Sequence, residues 1–457
     1  MNAPSPSSSI VREHCLSPSR TRHAIDRPIS GAARYARLFS DLPAYEADEA
    51  LLHTLGKAGG PCDCAASAAE APDGEAAAGW PIFGQFIAHD ITADRSPLQS
   101  RSVVEQLRNA RSPALDLDCL YGDGPAGHPF LFTRNDPAKF VLGSQGLDVQ
   151  RNAEGTAVIG DPRNDSHMLM SQMHLAMQKL HNALVDRARE RSVPERGVFD
   201  EASRWCRWAY QWVVVNEFLP GLVGPALVDE VLDQGPRYFK PGEVAFIPLE
   251  FADAAYRYGH CQIRSTYQLG RGSNPVSLFP DLLGFRPVPE ERAVDWTLFF
   301  DTPGHQRAQR VKKIDGRLVG GLIQLPVAIT GECEIDEYHS LAVRDLQRGQ
   351  GAGLPSGEAI ARRIGVAPLT AEQVGLSSLG WKGETPLWYY ILREAAVCED
   401  GDRLGPVGGR IVTEVLMVLL DRDPAAYRSV EPEWTPQQVD PSLTGLASLL
   451  ALATRRQ

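Results

Sequence analysis

The chain has 457 residues, of which 43% are hydrophobic and 23% charged, and its formal net charge is −11 at pH 7. This composition is typical of a soluble globular protein, and the length suffices for one large domain or for two to three small ones. A net negative charge without a cluster of Lys and Arg argues against nucleic-acid binding, since phosphate contacts depend on cationic side chains. The sequence contains no apolar run of about 18 residues, so no membrane span is predicted.

Residues 1–30 are predicted to form a disordered arm, because they are rich in Ser and Pro. Residues 1–22 contain scattered arginines but no apolar stretch, so a conventional signal peptide is not expected. We therefore expect a cytoplasmic protein and leave open export by a route that uses no such peptide.

Eight cysteines are spread along the chain, and Cys62 and Cys64 form the one closely spaced pair. No second pair stands near them at the spacing of zinc ligands. Reduced thiols are the simpler interpretation in a cytoplasmic protein, and a redox or metal-binding role for this pair is the alternative.

From Gly79 onwards the apolar pattern is mostly that of helices, and alternating strand patterns are few and short. Residues 57–79, rich in Ala, Gly, Pro and Asp, are predicted to form a surface loop before them. The helices are predicted over residues 167–190, 204–223, 386–397 and 408–420. Because no repeat or linker follows residue 80, we predict a mainly α fold, with a single large helical domain and few short strands over residues 31–457.

A polar pair stands out in the apolar, helix-like segment of residues 85–90. Gln85 and His89 are four residues apart and share one helix face, whereas Asp90 points elsewhere. Because the neighbouring side chains are apolar, the pair is predicted to face the protein interior, as a site for a small polar oxidant requires. The alternative is a packed or surface histidine without a chemical role.

The turn at residues 159–165 leads directly into the helix predicted over residues 167–190. An arginine held at a helix start, here Arg163, can place a permanent positive charge near a developing anion. The alternative is structural, with Arg163 paired to Asp161 or Asp165 at the helix cap.

An aromatic stretch at residues 256–260 ends in His260, which follows a glycine that allows the close approach of another group. An axial haem ligand needs a neutral imidazole in an apolar slot, with its second nitrogen bonded to an acceptor. The alternative is a core histidine bonded to a backbone carbonyl.

Oxygen-bearing side chains alternate along residues 112–118. Together with a backbone carbonyl and Asp90, they suit a hard cation such as calcium, which takes about six to eight oxygen ligands. Acidic loops are also common on protein surfaces, where they are simply solvated.

Together these segments resemble the animal-type haem peroxidases of the peroxidase–cyclooxygenase superfamily, the family of myeloperoxidase and lactoperoxidase, and especially its bacterial members. Six motifs occur in the family's order and with its internal spacings, which is not expected by chance. The matching stretches are residues 83–90, 115–122, 160–165, 172–174 with 181–182, 256–260, and 345–349 with 353–357. The resemblance implies the helical haem-peroxidase fold and a haem b cofactor.

The resemblance places three residues on the distal side of the haem. His89 matches the base that takes a proton from hydrogen peroxide and returns it to the leaving oxygen. Arg163 matches the arginine whose charge stabilises the separating negative charge, and Gln85 matches the residue that positions the distal water or a halide.

Four further residues are implied on the proximal side and at the haem edge. His260 matches the iron ligand, and Arg257 and Arg348 match arginines that pair with the haem propionates. Asp345 stands where the family usually has an asparagine bonded to the proximal histidine. A carboxylate there is expected to give the imidazole imidazolate character and to lower the reduction potential of the iron.

The resemblance also implies a calcium site with five protein donors. These donors are Asp90, Ser112, Ala114 through its carbonyl, Asp116 and Asp118. The metal would clamp the residue next to His89 and thereby orient the base.

The chain departs from the family's animal members where they attach haem through two ester bonds. Those positions hold Ala88 and Ser166, which cannot form such esters, and the next position, a methionine in myeloperoxidase, is His167. The haem is therefore expected to be held non-covalently, and replacement of the lost acid by Asp165 is the alternative.

We predict a haem peroxidase that reduces hydrogen peroxide while it oxidises a small organic or halide donor. The first alternative is a cyclooxygenase-like fatty-acid dioxygenase, which needs a radical-forming tyrosine three residues before the proximal histidine, where this chain has Arg257. The second alternative is a non-catalytic haem or calcium scaffold, which has no need of the His89–Arg163 pair. The physiological donor and the oligomeric state stay open at this stage.

Overall fold

The longest helix of the structure, Met168–Glu190, has buried residues along its length from Met168 to Ala188. Other helices pack around it, most extensively the helix Val198–Val213 that follows it in the chain. The computed structural model describes residues 35–66, 72–93, 107, 109–242, 245–333 and 335–454. The predicted disordered arm, residues 1–30, lies outside the described residues.

Eighteen α-helices lie within the described residues, and their labels follow chain order. The nine helices of eight or more residues are α1 (Glu49–Gly56), α2 (Trp80–Ile91), α5 (Met168–Glu190), α6 (Val198–Val213), α8 (Pro225–Gln234), α12 (Leu341–Gly351), α15 (Leu387–Cys398), α16 (Pro406–Asp421) and α18 (Leu446–Thr454). The nine shorter helices are α3 (Asp118–Tyr121), α4 (Gly124–Gly127), α7 (Leu219–Val223), α9 (Leu249–Ala252), α10 (Gly320–Ile323), α11 (Val327–Thr330), α13 (Gly357–Arg363), α14 (Ala371–Val374) and α17 (Tyr427–Val430). None of the helices in this described part of the chain is long and apolar enough to cross a lipid bilayer.

Six short strands occur in the described residues, in three separate pairs. The pairs are β1 (Tyr35–Ala36) parallel to β3 (Ile247–Pro248), β2 (Asp73–Ala77) antiparallel to β6 (Arg310–Lys312), and β4 (Thr266–Tyr267) antiparallel to β5 (Val276–Ser277). The prediction of a mainly α fold with few short strands is confirmed.

The four predicted helices are all present, with small differences at their ends. Three of them are α5, α15 and α16, and the fourth is a continuous helical run from α6 into α7 through a π-helical turn at Val214–Phe218. This run begins at Val198 rather than at residue 204. Its first turn contains Asp200 and Glu201, whose negative charges stabilise the start of a helix. Because these residues are not apolar, the apolar pattern of the sequence did not reveal this turn.

The surface loop predicted over residues 57–79 is wrong in part, because residues 73–77 form β2. The strand sequence, Asp-Gly-Glu-Ala-Ala, has no β-branched or aromatic residue, so local propensity predicts no strand there. Hydrogen bonding to the distant β6 decides the conformation instead.

Two contacts position α2 and the turn that precedes α5. Helix α2 packs against α5 and against the 3₁₀ helix Ala255–Gln262. The turn before α5 is tied to α3, since a Cβ atom at Gly160 would lie 2.4 Å from the carbonyl oxygen of Cys119. Glycine is required at this close approach, which fixes the 3₁₀ turn Pro162–Asp165 beside α2.

Four histidines lie buried in the core near these elements. They are His89 on α2, His167 at the start of α5, and His174 and His181 on α5. Burial lowers the pKa of His89 and His174 to about 3, and that of His167 and His181 to about 4. All four rings are therefore uncharged at neutral pH, whereas in the unfolded chain a histidine takes up a proton near about pH 6.5.

Acid should destabilise this fold as soon as the histidines of the unfolded chain titrate. Between about pH 6 and pH 4 the unfolded chain binds protons at these four positions and the folded chain does not. The free energy of unfolding should therefore fall by about 1.4 kcal/mol per pH unit for each histidine. Urea unfolding followed by circular dichroism at several pH values measures this slope.

The control variants separate one buried histidine from the rest of the chain. The change His181→Gln should reduce the pH dependence of the free energy of unfolding by about 1.4 kcal/mol per pH unit, the contribution of one histidine. This holds whatever the change does to the stability at a single pH. The change His305→Gln, at an exposed histidine, should leave the slope as it is. An unchanged slope in H181Q would contradict the assignment.

Candidate functional site

Residues of α2 and of the 3₁₀ helix Ala255–Gln262 line one cavity. Most of the lining side chains are apolar, and they come also from the start of α5 and from residues 278–279. Gln85 and Ala88 face the cavity from α2, and Arg257 and His260 face it from the 3₁₀ helix. An apolar cavity with a few convergent polar groups is the usual form of a cofactor site.

The predicted proximal histidine is bound to a carboxylate. Nδ1 of His260 lies 2.6 Å from Oδ2 of Asp345, and the Arg257 guanidinium donates to the other carboxylate oxygen at 3.0 Å. Burial favours the neutral acid, but the neighbouring His260 and Arg257 together bring the pKa of Asp345 below its usual value. A neutral imidazole whose Nδ1–H donates to a carboxylate has Nε2 unprotonated and suited to bind iron.

The two arginines predicted at the haem propionates lie at different depths around this site. Arg257 lines the cavity and also donates to the backbone carbonyl of Ala252 and to Asp253. Arg348 is buried with its Nη1 3.9 Å from Asp253, and it is not one of the described residues that line the cavity. Within the described residues, Arg257 is therefore part of the cavity wall and Arg348 is not.

On the α2 side, His89 is fully buried and hydrogen bonded to an amide. Its Nδ1 lies 2.7 Å from Oδ1 of Asn164, and burial, reinforced by the charge of Arg163, lowers its pKa to about 3. His89 adjoins Ala88 but is not itself among the described lining residues. Gln85 does line the cavity, and its buried Nε2 has no hydrogen-bond partner among the described residues.

The Arg163 guanidinium clamps the end of α2. It donates to the carbonyl oxygens of His89 and Thr92 at 2.9 and 2.8 Å, and to the Asp161 carboxylate at 3.0 and 2.7 Å. The last carbonyls of a helix have no partner within the helix, so a cationic side chain stabilises them. Arg163 is not one of the described residues that line the cavity, so this arrangement holds the His89 backbone.

Asp161 joins this clamp to the acidic loop. Arg111 donates to Asp161 at 2.8 Å and to Asp118 at 2.8 Å. Burial by itself would raise the pKa of Asp161, but Arg163 and Arg111 bring it well below its usual value. Asp161 therefore stays charged and holds two arginines in the protein interior.

The five residues predicted as calcium donors lie along one turn and the end of α2. Asp90 accepts from the backbone N–H groups of Leu117 and Cys119, and Asp116 accepts from that of Asp118. Burial and repulsion from neighbouring acids raise the pKa of Asp90 well above its usual value and that of Asp116 to about 6. Ser112 and Ala114 lie in the same turn as Asp116 and precede it in the chain.

No group of three or more His, Cys, Asp or Glu side chains in the described part of the chain has the arrangement of a metal site. The calcium site therefore stays a prediction. The same holds for the suggested metal role of Cys62 and Cys64, which are free thiols here, Cys62 buried and Cys64 half-buried.

The positions that carry ester bonds in the family's animal members hold small side chains. Ala88 lines the cavity, and the buried Ser166 hydroxyl donates to the carbonyl of Arg163. The Asp165 carboxylate is bound by Arg151 at 2.6 and 2.7 Å and is not one of the described lining residues. His167 lines the cavity, with its Nε2 3.4 Å from the carbonyl of Leu278.

Two residues beside His89 were not singled out from the sequence. Asn164 bonds His89, and its Nδ2 lies 3.1 Å from Nδ1 of His174. Both residues belong to motifs that carry the family resemblance. This membership was the feature of the sequence that could have indicated a role for them. Their contact depends on how the 3₁₀ turn packs against α2 and α5, which local sequence patterns do not predict.

Comparison with known proteins places these features in a family. The family description for animal haem peroxidases matches residues 98–369, which is more than half of the chain. A chorion peroxidase from Drosophila melanogaster is 26% identical over 208 residues, covering 43% of this chain and 25% of that protein. A peroxidase-like protein from Margaritifera margaritifera is 30% identical over 125 residues, covering 26% of this chain and 16% of that protein. The chain thus spans a quarter or less of these curated relatives.

Solved structures of low sequence identity share the fold. Peroxidase A from Dictyostelium discoideum superposes with a TM-score of 0.65 at 14% identity, covering 93% of both chains. A fatty acid alpha-dioxygenase from Oryza sativa superposes with a TM-score of 0.58 at 16% identity, covering 89% of this chain and 76% of that one. From the extent of the family match and the helical fold that it shares with these structures, we conclude that the chain belongs to the animal haem peroxidase family.

Proposed function

We propose that this protein is a haem peroxidase that reduces hydrogen peroxide and oxidises a small organic or halide donor. The observation that carries the proposal is the pair of differently bonded histidines beside one apolar cavity. His260, bonded to a carboxylate, suits an iron ligand, and His89, uncharged and bonded to an amide, suits a base. Family membership supports haem as the cofactor.

The residues around the cavity fit haem b. The walls are mostly apolar, and His260 faces the cavity from the 3₁₀ helix. The buried Nε2 of Gln85 has no acceptor among the described residues, so it can donate to a bound group. When bound, haem supplies an iron that takes two oxidising equivalents from peroxide and returns them to donors. Because Ala88 and Ser166 provide no carboxylate, His260, Arg257 and burial would hold the haem without covalent bonds.

His89 is the residue we propose as the proton carrier. Asn164 accepts from its Nδ1, so Nε2 on the far edge of the ring is unprotonated and can take a proton from peroxide. The low pKa keeps the ring neutral through the physiological range. The proton then passes from Nε2 to the leaving oxygen, and Gln85 would position the distal water or a halide.

Arg163 supports the same step by holding the backbone of His89. Its guanidinium binds the His89 carbonyl and is neutralised by Asp161. We propose that Arg163 holds the base in place and that its charge, largely balanced by Asp161, makes a smaller direct contribution to bond cleavage than an unpaired arginine would.

Replacing the base should abolish most of the reaction with peroxide. The change His89→Leu should lower the second-order rate constant for peroxide by a factor of about 10² to 10⁴, the usual contribution of a positioned acid–base group. Stopped-flow absorption measures this rate, and acid–butanone extraction, which removes non-covalent haem, gives the haem content of each sample. The matched change His305→Leu should leave the rate unaltered. Fully haem-loaded wild type without turnover would favour the non-catalytic scaffold instead.

Replacing the proximal carboxylate should raise the reduction potential of the iron. Asp345→Asn keeps a hydrogen-bond acceptor for His260 but removes the negative charge, so the ferric state loses stabilisation relative to the ferrous state. Each tenfold loss of ferric preference corresponds to about 59 mV in a one-electron couple. Spectroelectrochemistry measures the shift, with Asp136→Asn, at an acid paired with Arg189, as the control. A potential that falls or stays constant in D345N would contradict the assigned role.

A fatty-acid dioxygenase is the second candidate, and one observation favours it. The fold is shared with fatty acid alpha-dioxygenases, and Tyr256 and Tyr258 line the apolar cavity on either side of Arg257. The buried hydroxyl of Tyr256 has no hydrogen-bond partner among the described residues. Oxygen uptake with linoleate, compared with guaiacol oxidation by peroxide, distinguishes the two activities.

We also propose that calcium binds the turn at residues 112–118 together with Asp90. The buried Asp90 carboxylate and the half-buried Asp116 carboxylate repel each other, and a divalent cation between them would remove that repulsion. Chelation should therefore lower the melting temperature, added Ca²⁺ should restore it, and Asp116→Asn should lose the response. Equal melting temperatures of the wild type with EDTA and with Ca²⁺ would contradict the site.

A further inference from the structure

His89 belongs to a buried row of three polar side chains. Asn164 stands in the middle, with Oδ1 2.7 Å from Nδ1 of His89 and Nδ2 3.1 Å from Nδ1 of His174. His89, Asn164 and His174 are each 0% exposed. They come from α2, from the 3₁₀ turn before α5 and from α5 itself, so the row ties together three elements.

The two contacts determine where the protons lie. An amide oxygen only accepts, so Nδ1 of His89 must donate to it, which leaves Nε2 of His89 unprotonated. An amide nitrogen only donates, so Nδ1 of His174 must accept, which places the proton of His174 on Nε2. The row therefore has one direction, from His89 through Asn164 to His174.

Reversing the Asn164 amide would reverse the chemistry. With its nitrogen towards His89, the amide would require an unprotonated Nδ1 there, and the proton of His89 would move to Nε2. That nitrogen could then no longer take a proton from peroxide. Only the observed direction of the amide makes His89 a base at Nε2.

We infer that Asn164 is a positioning residue that sets the tautomer of His89, and that His174 fixes the direction of the Asn164 amide. This inference deepens the proposed function and rests on it for its effect on the rate. It concerns the chain's own residues, so the tautomer can be measured independently of turnover.

The surroundings of His174 support a role beyond packing. Its Nε2 is buried and has no hydrogen-bond partner among the described residues, while its ring packs edge-on against Phe86. A buried N–H without an acceptor lowers stability, so an apolar side chain of similar shape would serve packing better. Among the described residues, the hydrogen-bond partner of the imidazole is Asn164, through Nδ1.

Burial keeps both rings neutral, and the charged groups around the row have smaller effects of opposite sign. Arg163, Asp161 and Arg111 act on His89, and Asp161 and Arg111 act on His174. Burial has the largest effect and lowers the pKa of each ring to about 3. His174 therefore remains an acceptor at Nδ1 from neutral pH down to well below pH 5, and the direction of the row should not change in this range.

Two substitutions at position 164 separate positioning from packing. Asn164→Leu keeps the approximate volume but removes the acceptor, so His89 should lose its preference for Nδ1–H and the peroxide rate constant should fall at least twofold. Asn164→Asp retains an acceptor and adds a negative charge. It should keep the Nδ1–H tautomer and most of the rate.

A substitution at position 174 tests the second contact. His174→Phe removes the acceptor for the amide nitrogen, so both amide directions become available. If they are equally populated, half of the molecules carry the wrong tautomer of His89 and the rate constant falls about twofold. His174→Gln, whose side-chain oxygen can accept from the amide, should return the rate towards that of the wild type.

The experiment combines ¹⁵N-histidine NMR of the haem-loaded protein in its diamagnetic ferrous–CO form with stopped-flow peroxide kinetics. The ¹⁵N shifts identify which ring nitrogen of His89 carries the proton. The control is Asn182→Asp, at a buried asparagine that bonds the backbone of Phe140 instead, and it should change neither measurement.

The outcomes are distinguishable. A wild-type His89 protonated at Nε2, an unchanged tautomer in N164L, or equal losses in N164L and N164D would overturn the inference. A wild type that has the Nδ1–H tautomer but does not react with peroxide would instead refute the proposed peroxidase function, and would leave the positioning of His89 supported.

Discussion

The buried charge of Asp161 holds the candidate site together. It binds Arg163, which clamps the last carbonyls of α2, and Arg111, which reaches the acidic turn at Asp118. Two cations in the interior are tolerated because this carboxylate and several carbonyl oxygens surround them. Removing one member of such a cluster leaves an uncompensated buried charge, at a cost of about 3–5 kcal/mol. The position of α2, and with it that of His89, depends on this cluster.

The two histidines of the site differ through their partners. The imidazole of His260 donates to a carboxylate, which strengthens it as a ligand, whereas His89 donates to a neutral amide and keeps a low affinity for protons. In the proposed function, the same type of side chain therefore has two different roles. Arg257 shares the Asp345 carboxylate and so limits how much negative charge reaches the His260 ring.

Much of the architecture could be predicted from the sequence, for identifiable reasons. The helices α5, α15 and α16 carry apolar stripes or clear start signals, and their periodicity is a local property of the chain. The strand β2 has no such local signal, and its formation depends on hydrogen bonds to β6. The start of α6 at Val198 was missed because its first turn is stabilised by charge and not by apolar spacing.

Within the candidate site, residue types and spacing indicated His89, Gln85 and His260, and the family resemblance added Asp345. They did not indicate the direction of the Arg163 side chain, which binds Asp161 and two carbonyls instead of lining the cavity. The sequence indicated that Arg163 could pair with Asp161. It did not indicate that Arg111 would bind the same carboxylate. Side-chain direction is settled by which neighbours pack around a residue.

By itself, the sequence determined the family, the mainly α fold and the absence of carboxylates at positions 88 and 166, because these depend on which residues occur and at what intervals. The tertiary structure alone decided that Asn164 stands between His89 and His174, that Arg111 and Arg163 share one acid, and that Asp345 meets both His260 and Arg257. Each of these contacts joins segments distant in the chain. Hydrogen bonds at such separations form only where packing brings donor and acceptor together, and buried polar groups make that packing specific.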